Sequence, residues 1–287
     1  MGISIMIVDS HLHVWSGDTE TFPLAEGRSI SEPATADLLI KTMDATGVDK
    51  AVIVQPAHYM YDHRYVTECL RAQPDRFAAV GLVDQKKPDA IDRLDELLDA
   101  GFNGLRIHLA SRVQDPGEWA TADQDALWRR MGDAESSFCV FGPSKYLPAL
   151  EPIISRHPDV RIVLDHLGGP PAPADDPEGA GLNMALAMRK YPQIYVKLTP
   201  QGQKSVEEFP HKDLFDLYRR YYDAFGPQRL MWGTNFPGVL STTGYGPALE
   251  MFQDYLDFFT ESERARLLGG TAREVWPELA INEGGPN

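Results

Sequence analysis

The sequence predicts an α/β fold of the TIM type, a single-domain (β/α)8 barrel over residues 1–287, and three observations carry that reading. Eight short apolar or β-branched runs recur along the chain, stretches with helical spacing separate them, and no interdomain linker or internal repeat interrupts the alternation. Strands this apolar belong to a parallel sheet covered by helices. The rival open, doubly wound sheet would carry a Gly-rich phosphate fingerprint after its first strand, where His11 and His13 stand instead.

In order, the expected strands are residues 5–9, 50–55, 77–84, 104–109, 138–142, 161–166, 194–198 and 229–233. Residues 89–100 and 145–156 illustrate the intervening helices: Ile91, Leu94, Leu97 and Leu98 share one face, as do Leu147, Leu150, Ile153 and Ile154. The Pro/Gly-rich tract 168–181 after strand six is expected to be a long loop of the kind that forms active-site lids. The tract 240–247 after strand eight reads as loop and offers a second wall.

Twenty-seven Lys and Arg against 42 Asp and Glu leave a formal charge of −15, which excludes a nucleic-acid binder by bulk charge. An anionic substrate would be repelled unless local cations reversed the field at the site. The hydrophobic fraction of 43% supports a sizeable core. Cys69 and Cys139 lack the spacing of a disulfide framework or a thiolate zinc site, and a reducing cytoplasm fits them best. The apolar N-terminus is too short for a membrane span, so no membrane partner is expected; a homo-oligomer is compatible with the sequence.

In a barrel the chemistry lies at the C-terminal ends of the strands. Strand one ends in Asp9-Ser10-His11-Leu12-His13, and the two-residue period puts His11 and His13 on one face. Strand six brings His166, while Asp165 beside it should point outward to the helices. Strand four contributes Arg106 and His108, and strand eight ends in Asn235. A guanidinium inside a strand needs a counter-charge, either a substrate carboxylate or an internal salt bridge. Lys197 and Arg112 are lesser candidates of the same kind. His58 and Tyr59 directly follow strand two, within reach of a ligand, and Trp15, Tyr61 and Phe236 are further aromatics near the mouth. For His63, His157 and His211, and for His58 as the alternative to touching a ligand, a hydrogen-bonded structural role is the expectation.

The segments DSHLHVW, VIVQPAHYMYDHRYV, LRIH, IVLDHLGGP, IYVKLT, LMWGTNFP and LLGGTAREVW, in this order, resemble the amidohydrolase-related family. Within it the pattern is similar to that of 2-pyrone-4,6-dicarboxylate lactonase and sugar lactonases. The resemblance implies a barrel in which His11, His13 and His166 polarise a substrate carbonyl without a metal and Arg106 binds a substrate carboxylate, with Arg112 matching a second such arginine. Asn235 stands where most of the superfamily has an aspartate that binds metal or deprotonates water, and Phe141 where metal-binding relatives place a histidine.

These departures matter, because an amide cannot take a proton near neutral pH and offers a metal only a neutral oxygen. His11, His13 and His166 alone could hold Zn²⁺ with water completing the shell, yet losing two ligands favours a metal-independent enzyme with one of the histidines as base. The expected function is hydrolysis of a small carboxylate-bearing lactone. The alternatives are a Zn²⁺- or Mn²⁺-dependent decarboxylase or hydratase of a small unsaturated or aromatic acid, and a non-catalytic binder of small acids.

Overall fold

The computed structural model describes residues 5–109 and 116–280. Eight parallel strands run in sequence order: β1 (Val8–Leu12), β2 (Lys50–Val54), β3 (Phe77–Gly81), β4 (Gly104–His108), β5 (Ser137–Phe141), β6 (Arg161–Leu164), β7 (Ile194–Leu198) and β8 (Leu230–Trp232). Each pairs in parallel with the next. Past the end of β8 the ring is drawn shut by a parallel bridge between Leu12 and Phe236. Asn235 N donates to His11 O at 2.8 Å there, and His13 N to Phe236 O at 2.8 Å. The architecture is a (β/α)8 barrel.

The helices α1 (Ala36–Thr46), α2 (Arg64–Ala72), α3 (Ala90–Asp99), α4 (Asp125–Asp133), α5 (Glu151–Arg156), α6 (Ala180–Ala187), α7 (Phe215–Phe225) and α8 (Tyr245–Glu250) alternate with the strands. Thr35 caps α1 by accepting from Leu38 N at 3.2 Å, and Gly47 ends it in the left-handed conformation at φ 74°. α3 buries Leu94 and Leu97, the face its spacing predicts. Between barrel wall and helices lies the larger core, which includes Ile53, Leu105, Phe138, Trp128 and Tyr221. A smaller one, with Val8, Val52, Val163, Met231 and Trp276, fills the barrel interior near its N-terminal end.

Several boundaries differ from the expectation. β1 covers Val8–Leu12 rather than 5–9, so His11 lies inside the strand and His13 just beyond it. All five of its residues are buried, and the pairing register slips between Asp9 and Leu12. Apolarity misplaces this strand because its polar residues are satisfied by partners that only the closed barrel supplies. β6 stops at Leu164, because His166 and Leu167 both turn left-handed, at φ 50° and 62°. In the 240–247 tract, Tyr245 opens α8 and is buried rather than forming an open loop wall.

Candidate active site

The strand-one and strand-six histidines meet. The His11 ring lies edge-on to those of His13 and His166, with centroids 5.1 and 4.4 Å apart. His11 is fully buried, whereas His13, His166 and Asn235 are half-buried. His166, Asn235, Phe141, Gln201, Lys204 and Pro170 line a cavity of about 460 Å³. A larger groove of about 1010 Å³ lies elsewhere, between α2 and α3; it takes in Tyr61 and His63 and none of the three clustered rings. Of the two, the smaller space borders one of the clustered rings, His166, and carries the Lys204 cation on its wall.

Beneath the rings sits a buried charge cluster. Asp165, expected to face outward, is fully buried and faces the cations of the barrel. Asp165 keeps the face of Val163, which packs in the inner core, and lies one step past the Leu164–Val196 pair, beside Lys197; its carboxylate therefore points inward, where Oδ2 accepts from Arg106 Nε at 2.8 Å. Oδ1 lies 3.0 Å from Lys197 Nζ and 3.3 Å from His11 Nδ1. Burial opposes its ionisation, yet the Lys197 ammonium and the Arg106 guanidinium hold its carboxyl well below the usual range. Arg106 thus makes the internal salt bridge that was the alternative to a substrate carboxylate. Only Nε is engaged by Asp165, and a guanidinium carries four further N–H donors. Its face also lies 4.4 Å from the Phe141 ring centroid.

The imidazoles are neutral. Burial is the first cause for each, pushing His13, His108 and His166 down to about 3 and His11 well below its ordinary value. The Arg106 charge adds to the effect at His13, His108 and His166. Hydrogen bonds with Val54 and Thr199 orient two rings. His13 Nδ1 lies 2.8 Å from Val54 O, an acceptor only, so Nδ1 carries the hydrogen and Nε2 keeps its lone pair. His166 Nδ1 lies 3.0 Å from Thr199 Oγ1, which already accepts from Gln201 Nε2 at 2.9 Å.

Around strand eight, the buried Asp9 carboxylate collects four donors: Thr234 N at 2.9 Å, Thr234 Oγ1 at 2.5 Å, Tyr245 OH at 3.0 Å and His11 N at 3.1 Å. Burial nevertheless raises its pKa to about 6, with these bonds pulling the other way. Asp9 thereby ties the end of β1 to the segment that presents Asn235. Asn235 itself adopts φ 64°, a left-handed conformation that asparagine tolerates well.

The other expected site residues divide. His108 is buried at the end of β4, its ring 5.4 Å from Phe141. Lys197 is fully buried below the rings, 5.3 Å from the Trp276 ring, so it supports Asp165 rather than reaching a ligand at the mouth. Tyr59 is buried and its hydroxyl accepts from Ser16 N at 2.8 Å, a packing role. The His58 ring lies tilted against that of Trp15, centroids 4.6 Å apart. Arg112 lies outside the described residues. His63, which accepts from Leu82 N at 2.9 Å, His157, 2.8 Å from Asp125, and His211, 2.9 Å from Glu207 O, are each hydrogen-bonded, as expected.

Sequence reasoning passed over Thr199, Gln201 and Lys204. Thr199 is two residues after Lys197, a spacing that alone could have flagged it. Lys204, whose Nζ donates to Pro170 O at 2.7 Å, supplies a cation on the cavity wall and ties down the 168–181 tract. Arg28 adds charge near His58 and His108, whose basicity it lowers.

A bound Zn²⁺ would need a lone pair from each ring. His13 Nε2 fits. His11 does not: a donor-only ammonium, Lys197 Nζ, lies 3.3 Å from its Nδ1, which favours hydrogen on Nε2. Among the described residues no group of three His, Cys, Asp or Glu side chains is arranged to hold a metal ion.

The sequence profile of the family described as Amidohydrolase matches residues 8–277. L-fucono-1,5-lactonase from Burkholderia ambifaria is 28% identical, covering 92% of this chain and 93% of that one. A 4-sulfomuconolactone hydrolase from Hydrogenophaga intermedia is 25% identical over 95% and 89%. The fold of an amidohydrolase from Burkholderia multivorans superposes with a TM-score of 0.81 at 22% identity, covering 95% and 99%.

Proposed function

This chain belongs to the amidohydrolase family, and from that premise we propose that it hydrolyses a small carboxylate-bearing lactone without a resident metal. One observation carries the reading: three neutral imidazoles meet at the barrel mouth beside buried and half-buried cations. The lactonase names among the relatives support it.

The residues divide the work by what their hydrogen bonds leave free. In this reading Thr199, which accepts from Gln201, gives its hydroxyl hydrogen to His166 Nδ1, so that the ring presents Nε2–H to the lactone carbonyl oxygen. His11 assists from beneath. Negative charge develops on that oxygen as water attacks, and fixed N–H donors stabilise it more than they do the ground state. His13 Nε2, with its lone pair free, takes the proton from the attacking water. The ring C–O bond then breaks, the leaving alkoxide recovers that proton from His13, and a hydroxy acid departs. Arg106 and Lys204 hold the substrate carboxylate, reversing locally the field of a chain with net charge −15.

The test is a panel of five- and six-membered lactones, with and without a carboxylate, followed by proton release at constant pH. Turnover of the carboxylate-bearing members above the neutral ones is expected. Binding of the acids with no turnover across the panel would overturn the enzymatic reading in favour of a binder.

A further inference from the structure

We propose that Lys197 is a positioning residue: hydrogen-bonded to His11, its buried ammonium commits that ring to the tautomer bearing hydrogen on Nε2 and so makes it a donor rather than a base or metal ligand. The proposal deepens the lactonase reading and rests on it only for the use to which the donor is put.

The geometry is specific. Lys197 Nζ lies 3.3 Å from His11 Nδ1 and 3.4 Å from Cys139 Sγ, both in hydrogen-bonding orientation, and 3.0 Å from Asp165 Oδ1 as an ion pair. An ammonium carries three N–H donors and no lone pair, so toward His11 it can only give. Asp165 Oδ1 lies 3.3 Å from the same ring nitrogen, but accepts no well-oriented hydrogen bond among the described residues. In the rival tautomer, with hydrogen on Nδ1, the His11 and Lys197 hydrogens would face each other. Asp165 therefore anchors the ammonium, and the ammonium orients the ring.

The consequence lies on the other side of the ring. His11 Nε2 is buried and has no hydrogen-bond partner among the described residues. An orphaned buried donor is costly, and native interiors rarely keep one without a use. A substrate oxygen drawn among the three rings would satisfy it. His13 is set the opposite way by Val54 O, so two histidines from one strand end carry complementary roles, fixed from outside the cavity.

The test reads the tautomers directly in the intact chain, by nitrogen NMR with ¹⁵N-labelled histidine at pH 7, the signals assigned by His11→Gln and His13→Gln. The proposal expects hydrogen on Nε2 of His11 and on Nδ1 of His13, a readout that needs no substrate and stands even if no lactone is turned over. Hydrogen on Nδ1 of His11 in the wild type would overturn it. In Lys197→Met, His11 should switch to the Nδ1–H form with its hydrogen on Asp165. Zn²⁺ affinity, read by competition with a chromophoric chelator, should rise at least about tenfold, and kcat should fall about 10²-fold with little change in KM. Unchanged His11 tautomer in a folded Lys197→Met would also refute the assignment. If Lys197→Met does not fold, Lys197→Gln and the wild-type spectrum decide the same point.

Discussion

Acidification from pH 7 to 5.5 should cost this protein much of its stability. Unfolded histidines titrate near pH ~6.5. In the folded chain His13, His108 and His166 sit at about 3, His63 at about 4 and His11 well below its ordinary value, burial being the first cause throughout. A folded pKa below the unfolded one means that the unfolded chain binds more protons, so this stability is complete above pH ~6.5 and drains away as pH falls toward the folded values. Between pH 7 and 5.5 each group loses a little over roughly 1 kcal/mol. That figure depends on the unfolded pKa alone, because 5.5 lies well above every folded value. Five such groups amount to roughly 6 kcal/mol. Asp9 works the other way: its folded pKa of about 6 exceeds the unfolded 3.8, so protonation returns about 1 kcal/mol over the same window. The net loss is comparable with the whole stability of many domains. Urea unfolding followed by tryptophan fluorescence at four pH values across this window measures it, and His63→Gln should remove about one fifth of the slope without touching turnover. A flat or rising stability on acidification would refute the neutral, buried state of the cluster.

Thr199→Val should leave His166 without its hydroxyl partner, lowering kcat about tenfold at constant KM while urea stability shifts by about 1 kcal/mol. For Arg106→Gln, steady-state kinetics should show KM for carboxylate lactones rising about 10- to 100-fold, the worth of a lost charge-assisted hydrogen bond, with less effect on a neutral lactone. Asn235→Asp should lower turnover, because a new carboxylate beside the imidazoles draws their protons onto the rings; a large gain instead would show that the amide stands in an impaired base position. Prolonged treatment with a zinc chelator, checked by elemental analysis of the same sample, should leave activity unchanged.

The barrel and several residues of its mouth are legible in the sequence. Eight apolar runs with helical spacing between them leave few other ways to bury both faces of every strand, and the alternation of His11 with His13 follows from the pleat. Arg106, as an intrastrand cation, announced the need for a counter-charge. What answers that need was decided only in three dimensions. Asp165 faces inward because it keeps the face of Val163, and what no periodicity anticipates is the left-handed turn at His166 and Leu167 that ends β6 and still leaves the His166 ring against His11. Lys197, 32 residues after Asp165, joins it through the pairing of β6 with β7, and Thr199 reaches His166 in the same way. Strand periodicity fixes which side of its own strand a residue faces, whereas the state of a ring nitrogen depends on the atom three ångströms away, which a neighbouring strand supplies only when the barrel closes.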